Sequence, residues 1–141
     1  GEFGHFCMFE NEVLCHCGKK GCLETEASGS AFHRILIERY REGSNTILAG
    51  KLDSGEEISL GDLLEAVRKE DVLCIDILEK MGVNLGKGIA GLMNIFNPEL
   101  VILGGTLSLA GELYQPAGQK VLSVNIRSIW STKTRKSKYP N

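Results

Sequence analysis

The chain shows no excess of charge of one sign and no long hydrophobic run. Sixteen Lys and Arg against eighteen Asp and Glu give a net charge of −2, too weak a field to make nucleic acid or a membrane surface the main partner. No apolar stretch approaches the roughly 18 residues that a membrane span requires. No secretory leader pattern is legible, and the five cysteines are odd in number, with four of them in the first 22 residues. A disulfide framework is therefore not expected, and the expected setting is soluble, reducing and cytoplasmic. At 141 residues and 43% hydrophobic content the chain suffices for one globular domain.

What is present is a concentrated donor pattern. His5, Cys15, Cys17 and Cys22 follow H-x9-C-x-C-x4-C. One imidazole and three thiolates form a closed Cys3His set, the donor choice of a structural zinc that leaves no position open for water. The metal is expected to hold a loop in shape. Gly18 and Gly21 lie where a short chain must wrap round an ion and where positive φ is wanted. Cys7 and His16 are spare candidates for the fourth ligand. His5 is preferred, because His16 sits between two ligating cysteines and would tend to point away. Cys74 falls in a helical pattern as buried core. The plain alternative is core filling by cysteine, which is commonly buried.

Glu2-x-Gly4-His5 and Cys15-x-Cys17-Gly18-x-x-Gly21-Cys22-Leu23-Glu24, together with the later Asn97-Pro-Glu-Leu-Val-Ile-Leu-Gly-Gly105, resemble the signature of the ROK family of sugar kinases and sugar-responsive transcriptional repressors. The resemblance implies an α/β fold, part of an actin-like ATPase (ribonuclease H-like) domain with a zinc-knot loop. It also implies that the metal orders a loop bearing sugar contacts, at Glu2, His5 and Glu24 by motif position. Sugar hydroxyls need acceptors and fixed donors, and two carboxylates flanking a metal-held imidazole supply them with little freedom left to lose. Without the motif, Glu2 and Glu24 would read as solvated surface charge.

Along the chain the patterns alternate between helix and loop. A cap in 27–30 precedes Phe32, Ile35, Leu36 and Tyr40 at helical spacing, and Gly43 to Asn45 end that helix. Residues 47–57 read as a polar loop. Ser59 caps a helix through Leu63, Leu64 and Val67, and Asp71 or a neighbour starts the next. From Leu78, the series Met81, Leu85, Ile89, Leu92 and Phe96 marks a long helix with one apolar face. Its Gly82, Gly86, Gly88 and Gly91 each cost roughly 1 kcal/mol relative to Ala, so close packing against another helix or a sheet is expected, with a backbone surface facing a nucleotide as the alternative. Asn97-Pro98 stops the helix. Residues 99–103 then read as a buried parallel strand, with Gly104 and Gly105 at its carboxyl end, where open α/β sheets bind ligands. In ROK kinases the matching segment borders the adenosine of ATP, so the resemblance makes Gly104 and Gly105 candidate nucleotide contacts. Thr106 and Ser108 are caps for a helix through Leu113, Tyr114 and Val121. The basic tail from Ser131 reads as a lysine-protected edge strand rather than a DNA contact.

The resemblance further implies a single partial domain over 1–141, the C-terminal half of a ROK protein. Residues 1–29 would form the zinc- and sugar-binding loop, and 30–141 a helical and strand portion. The phosphate loop and catalytic aspartate would lie upstream, so no residue here is named as catalytic. The expected function is the sugar-sensing part of a regulator resembling the NagC-like branch. Its partners would be a small sugar or sugar phosphate, a second copy in a homodimer, and DNA only through a domain outside this chain. The Gly18–Ser28 segment and the polar stretch at 43–57 carry that preference. The alternative is half of a glucokinase-like sugar kinase, which would add ATP and Mg2+ as cofactors. A third reading confines the zinc knot to folding or self-association.

Overall fold

The computed structural model describes residues 2–97, which form two 3-10 turns, Phe3–His5 and Leu23–Thr25, followed by four helices: α1 Gly29–Arg41, α2 Ala49–Ser54, α3 Leu60–Arg68 and α4 Val72–Phe96. Local chemistry sets most boundaries. Ser28 begins α1 by accepting the Ala31 N–H at 3.1 Å. Ser59 and Asp62 form a reciprocal capping box at α3, each side chain accepting the other's backbone N–H. Asp71 begins α4 by accepting the Cys74 N–H at 3.0 Å. Each device satisfies a helix-end donor that would otherwise lack a partner.

The exits of the first three helices share one geometry. Two crossed backbone hydrogen bonds close each end: Gly43 and Ser44 to Tyr40 and Arg39, Gly55 and Glu56 to Leu52 and Lys51, Glu70 and Asp71 to Val67 and Ala66. This is the Schellman arrangement, which places one residue in the left-handed region. Glycine occupies that position at Gly43 (φ 101) and Gly55 (φ 69), but after α3 it is Glu70 (φ 61).

α1 and α3 both pack on α4. Phe32 and Leu36 from α1, Leu63, Ala66 and Val67 from α3, and Leu73, Cys74, Ile77 and Met81 from α4 form one buried cluster, joined by Leu48 and Ile58 from the connections. Arg39 and Asp76 pair across the α1–α4 contact at 3.1 Å. Asp71, 6% exposed, also accepts the Ile47 N–H at 2.9 Å and the Thr46 hydroxyl at 3.0 Å, which pins the connection after α1 to the start of α4.

Three expectations change. Residues 47–57 contain helix α2, whose polar face is used by Lys51 in a 2.7 Å pair with Asp62 of α3. The pattern divided near Leu78 is one continuous helix of 25 residues from Val72. Phe96, expected on its apolar face, is 71% exposed, while Met81, Ile89 and Met93 are buried along it. Asn97 leaves the helix in the left-handed conformation, φ 46 and ψ 51. Among the described residues no strand forms, and only the isolated bridges Cys7–Cys22 and Leu14–Lys20 are present. The strand at 99–103, Gly104 and Gly105, the helix through Val121 and the basic tail from Ser131 lie outside the described residues.

Candidate functional site

The N-terminal segment folds back on itself because its backbone groups pair across it. Leu23 N–H donates to the Phe6 carbonyl at 3.1 Å, Met8 N–H to the Gly21 carbonyl at 2.8 Å, and Cys15 N–H to the Lys19 carbonyl at 2.8 Å. Gly18 and Gly21 take φ +83 and +75, as the wrap requires, and a Cβ on Gly21 would run into the Phe9 carbonyl. Asn11 fastens the turn: its Oδ1 accepts the Val13 and Gly21 N–H groups at 3.1 and 3.2 Å, and its Nδ2 donates to Glu26 at 2.6 Å.

This path brings the four expected donors together. One ligand atom each from His5, Cys15, Cys17 and Cys22 lie within 4.8 Å of one another. Zinc–sulfur bonds of about 2.3 Å at tetrahedral angles would set neighbouring sulfurs about 3.8 Å apart, so occupation needs shifts of no more than about 1 Å in any donor separation. His5 turns Nδ1 towards Cys15 Sγ at 3.3 Å and Nε2 towards the Glu2 carboxylate at 3.6 Å. Cys17 and Cys22 sulfurs are 3.5 Å apart. Of the spare candidates, Cys7 stands beside the group with Sγ 3.8 Å from Cys22, and His16 is exposed and lines a neighbouring cleft.

The donors differ in environment. Cys22 and Cys15 are buried, and Cys17 is exposed. Desolvation first, and then the neighbouring sulfurs, push the Cys22 thiol up to about 12. The Lys19 backbone N–H leads the effects that hold Cys17 below its ordinary value, against partial desolvation. A cation replacing the protons of these thiols would relieve the burial of Cys22, and binding must release protons. The donor set, its spacing and its partly buried position fit a structural metal.

The sugar candidates sit around this group. Glu24, half-buried, follows Cys22 on the second 3-10 turn, and its Oε2 comes so close to Gly4 that a Cβ there would lie 2.5 Å away. Glu24 also lines a cleft of about 140 Å3 together with Cys15, His16, Ser30 and Arg34. Arg34 anchors that wall by donating to the Thr25 carbonyl at 2.8 Å. The Glu2 side chain is 88% exposed. Gly4 is thus held bare by Glu24, and His5 beside it links the metal donors to Glu2.

Sequence reasoning missed one support and the partners of another. Asn11 is an ordinary polar residue by type, and only its three partners give it a role. Gly88 of α4 is the other: a Cβ there would lie 2.9 Å from Leu23 Cδ2 and 3.2 Å from Phe3 Cζ. The long helix therefore presses on both 3-10 turns at this glycine, and the expected close packing is against the donor loop rather than a helix or sheet. By contrast, a Cβ on Gly91 meets nothing within 4 Å.

Comparison with known proteins places the chain in a family. The ROK family model matches residues 1–139. The glucokinase of Thermotoga maritima is 36% identical over 132 residues, which is 93% of this chain and 42% of that protein. The DNA-binding transcriptional dual regulator NagC of Escherichia coli K12 is 29% identical over 132 residues, 94% of this chain and 31% of that one. The crystal structure of a ROK family transcriptional regulator, a homolog of the E. coli MLC protein, matches with a TM-score of 0.73 and 33% identity, covering 94% of this chain and 30% of that chain. This chain thus spans less than half the length of these relatives. ROK structures have the actin-like ATPase fold, and kinases and regulators alike stand among its kin. With the family model matched along nearly its whole length, the chain belongs to the ROK family.

Proposed function

We propose that His5, Cys15, Cys17 and Cys22 hold a structural zinc ion, and that this ion fixes a loop whose Glu2, His5 and Glu24 bind sugar hydroxyls. The observation that carries the reading is the orientation of His5, with Nδ1 towards the sulfurs and Nε2 towards the Glu2 carboxylate. An imidazole clamped at one nitrogen offers the other to a ligand at a fixed place. Carboxylates on either side accept hydroxyl protons at little entropic cost.

The whole protein is read as a sugar-responsive regulator resembling NagC. A sugar or sugar phosphate bound at this loop would favour one of two domain arrangements, and its differential affinity for the two would set the affinity of a distant DNA-binding part. DNA is contacted outside residues 1–141, and the protein works as a homodimer in the cytoplasm. Support comes from the regulator structure with its TM-score of 0.73. A second reading rests on the 36% identity to a glucokinase: the same three residues would position a hydroxyl for in-line attack on the γ-phosphate of ATP with Mg2+, and Gly104 and Gly105 would border the nucleotide.

The test uses the full-length protein. Sugar binding is measured by calorimetry for the wild type and for Glu24→Gln, followed by ATP-dependent phosphorylation and DNA binding with and without sugar. Loss of sugar affinity in Glu24→Gln with zinc retained is expected. Unchanged affinity would leave the metal with a folding or association role alone. Sugar-dependent DNA binding without turnover identifies the regulator, and turnover identifies the kinase.

A further inference from the structure

Cys7 lies outside the four-donor group, yet its position is not that of an isolated surface thiol. The Leu23–Phe6 and Met8–Gly21 hydrogen bonds bracket the antiparallel pair Cys7–Cys22 without joining the two residues to each other. A pair of that kind sets its Cα atoms about 4.5 Å apart with side chains adjacent, within the roughly 4.4–6.8 Å span that a disulfide accepts. The two sulfurs already stand 3.8 Å apart, so rotation of the side chains can close the bond while the backbone pairing is kept.

We propose that Cys7 is a thiol oxidation site which, on reaction with a hydroperoxide, forms a disulfide with Cys22 and thereby dismantles the metal-binding set. The proposal rests on reading that set as a metal centre. Exposure assigns the roles: Cys7 is exposed and meets the oxidant, whereas Cys22 is 0% exposed and acts as the resolving thiol. Cys7 attacks the peroxide oxygen, giving a sulfenic acid and one water. The Cys22 sulfur then attacks the Cys7 sulfur, forming the S–S bond and releasing a second water. Two thiols lose two electrons and two protons, and hydrogen peroxide is reduced to two waters.

The chemistry of the centre makes that step consequential. Removing Cys22 leaves one imidazole and two thiols, fewer than the four donors a structural zinc site uses. Cys22 also precedes the turn that carries Glu24, so the sugar loop exchanges its link to the metal for a bond to Cys7 alone. Cys17 competes as a partner, with its sulfur 3.5 Å from Cys22, but both belong to the donor set and would be masked together by a bound metal. Cys74 is the internal control: it is buried, and desolvation first, then Asp71, push its thiol up to about 12.

The experiment measures metal content of the purified reduced protein, then adds hydrogen peroxide and follows metal release with a chromophoric chelator, mapping disulfides by alkylation and mass spectrometry. Metal release in step with a Cys7–Cys22 linkage is expected, reversed by thiol reductant with added zinc. Cys7→Ser should keep its metal content and release it roughly tenfold more slowly, because the accessible thiol is gone. A Cys7→Ser protein that releases metal at the wild-type rate, or a wild-type product linked through Cys17 or Cys15, overturns this proposal and leaves the metal centre standing. Reduced protein that carries no metal before oxidant overturns the metal reading and the release step with it.

Discussion

The two regions of the described chain are held together by different physics. Residues 29–97 bury an apolar cluster in which Phe32, Leu36, Leu63 and Ile77 are at most 2% exposed, and α1, α3 and α4 begin on side-chain caps from Ser28, Ser59 and Asp71. Residues 2–28 bury only Cys15, Gly21, Cys22, Leu23 and Thr25 and rely on backbone pairing, on Asn11 and on the donor group. The helical part can therefore be ordered by hydrophobic burial, at about 25 cal/mol per Å2 of apolar surface. The loop has little such surface, and the proposed metal would supply its rigidity. The apolar core and the proposed ligand site thus fall in separate regions that meet at Gly88.

The largest break in this contrast is at the donors. Cys17→Ala should remove metal binding, a change on the order of 10 kcal/mol in a small thiolate site. Hydrogen exchange should show residues 2–28 losing protection while α1, α3 and α4 keep theirs. In the helical part, Phe32→Ala should cost about 3–5 kcal/mol, read as a lowered denaturant midpoint, with metal content per folded chain unchanged.

Asp71→Ala should cost about 2–3 kcal/mol by stripping partners from the Cys74 and Ile47 N–H groups and the Thr46 hydroxyl. This site also fixes a pH dependence. Burial works to raise the Asp71 pKa, but bonds from Cys74, Ile47 and Thr46 outweigh it and hold the carboxyl below its ordinary value. Its contribution is present above the unfolded carboxylate range and is lost as pH falls through the lowered folded value. Acid titration of stability should accordingly show a shallower fall below about pH 4 in Asp71→Asn than in the wild type.

Gly88→Val sharpens the comparison at the junction. The added atoms meet Leu23 and Phe3, and overpacking of this kind costs about 1–3 kcal/mol. Weakened sugar affinity with α-helical circular dichroism retained is the expected result, and unchanged affinity would mean that α4 does not brace the loop. The smallest effect is a gain: Glu70→Gly places glycine at the left-handed position of the α3 exit and should stabilise by about 1 kcal/mol, measured as a rise in thermal midpoint.

Most of this arrangement was legible where one residue type carries one role. Ser59 read as a cap, and caps were expected within 27–30 and at Asp71 or a neighbour, where Ser28 and Asp71 accept a backbone N–H three residues on; the donors read as a centre because few functions need that spacing of His and Cys. α2 was not legible, since Asp53, Ser54 and Gly55 are turn formers; the Lys51–Asp62 pair and the Gly55 exit that sustain it depend on α3 and on backbone geometry. The role of Gly88 was half legible. A cost in the helix pointed to close packing, but its partners, Leu23 and Phe3, are distant in sequence. Asn11 left no signal, because an asparagine in a loop is commonplace until its partners are seen.

The central claim is that a metal orders residues 2–28, which contact with the helical core alone does not. Its most direct test is elemental analysis of protein purified under reducing conditions without chelator, repeated after chelation, with hydrogen exchange recorded on both samples. The account predicts one zinc per chain, and selective loss of protection in residues 2–28 when it is removed. Protein without zinc, or a loop equally protected after its removal, would contradict it.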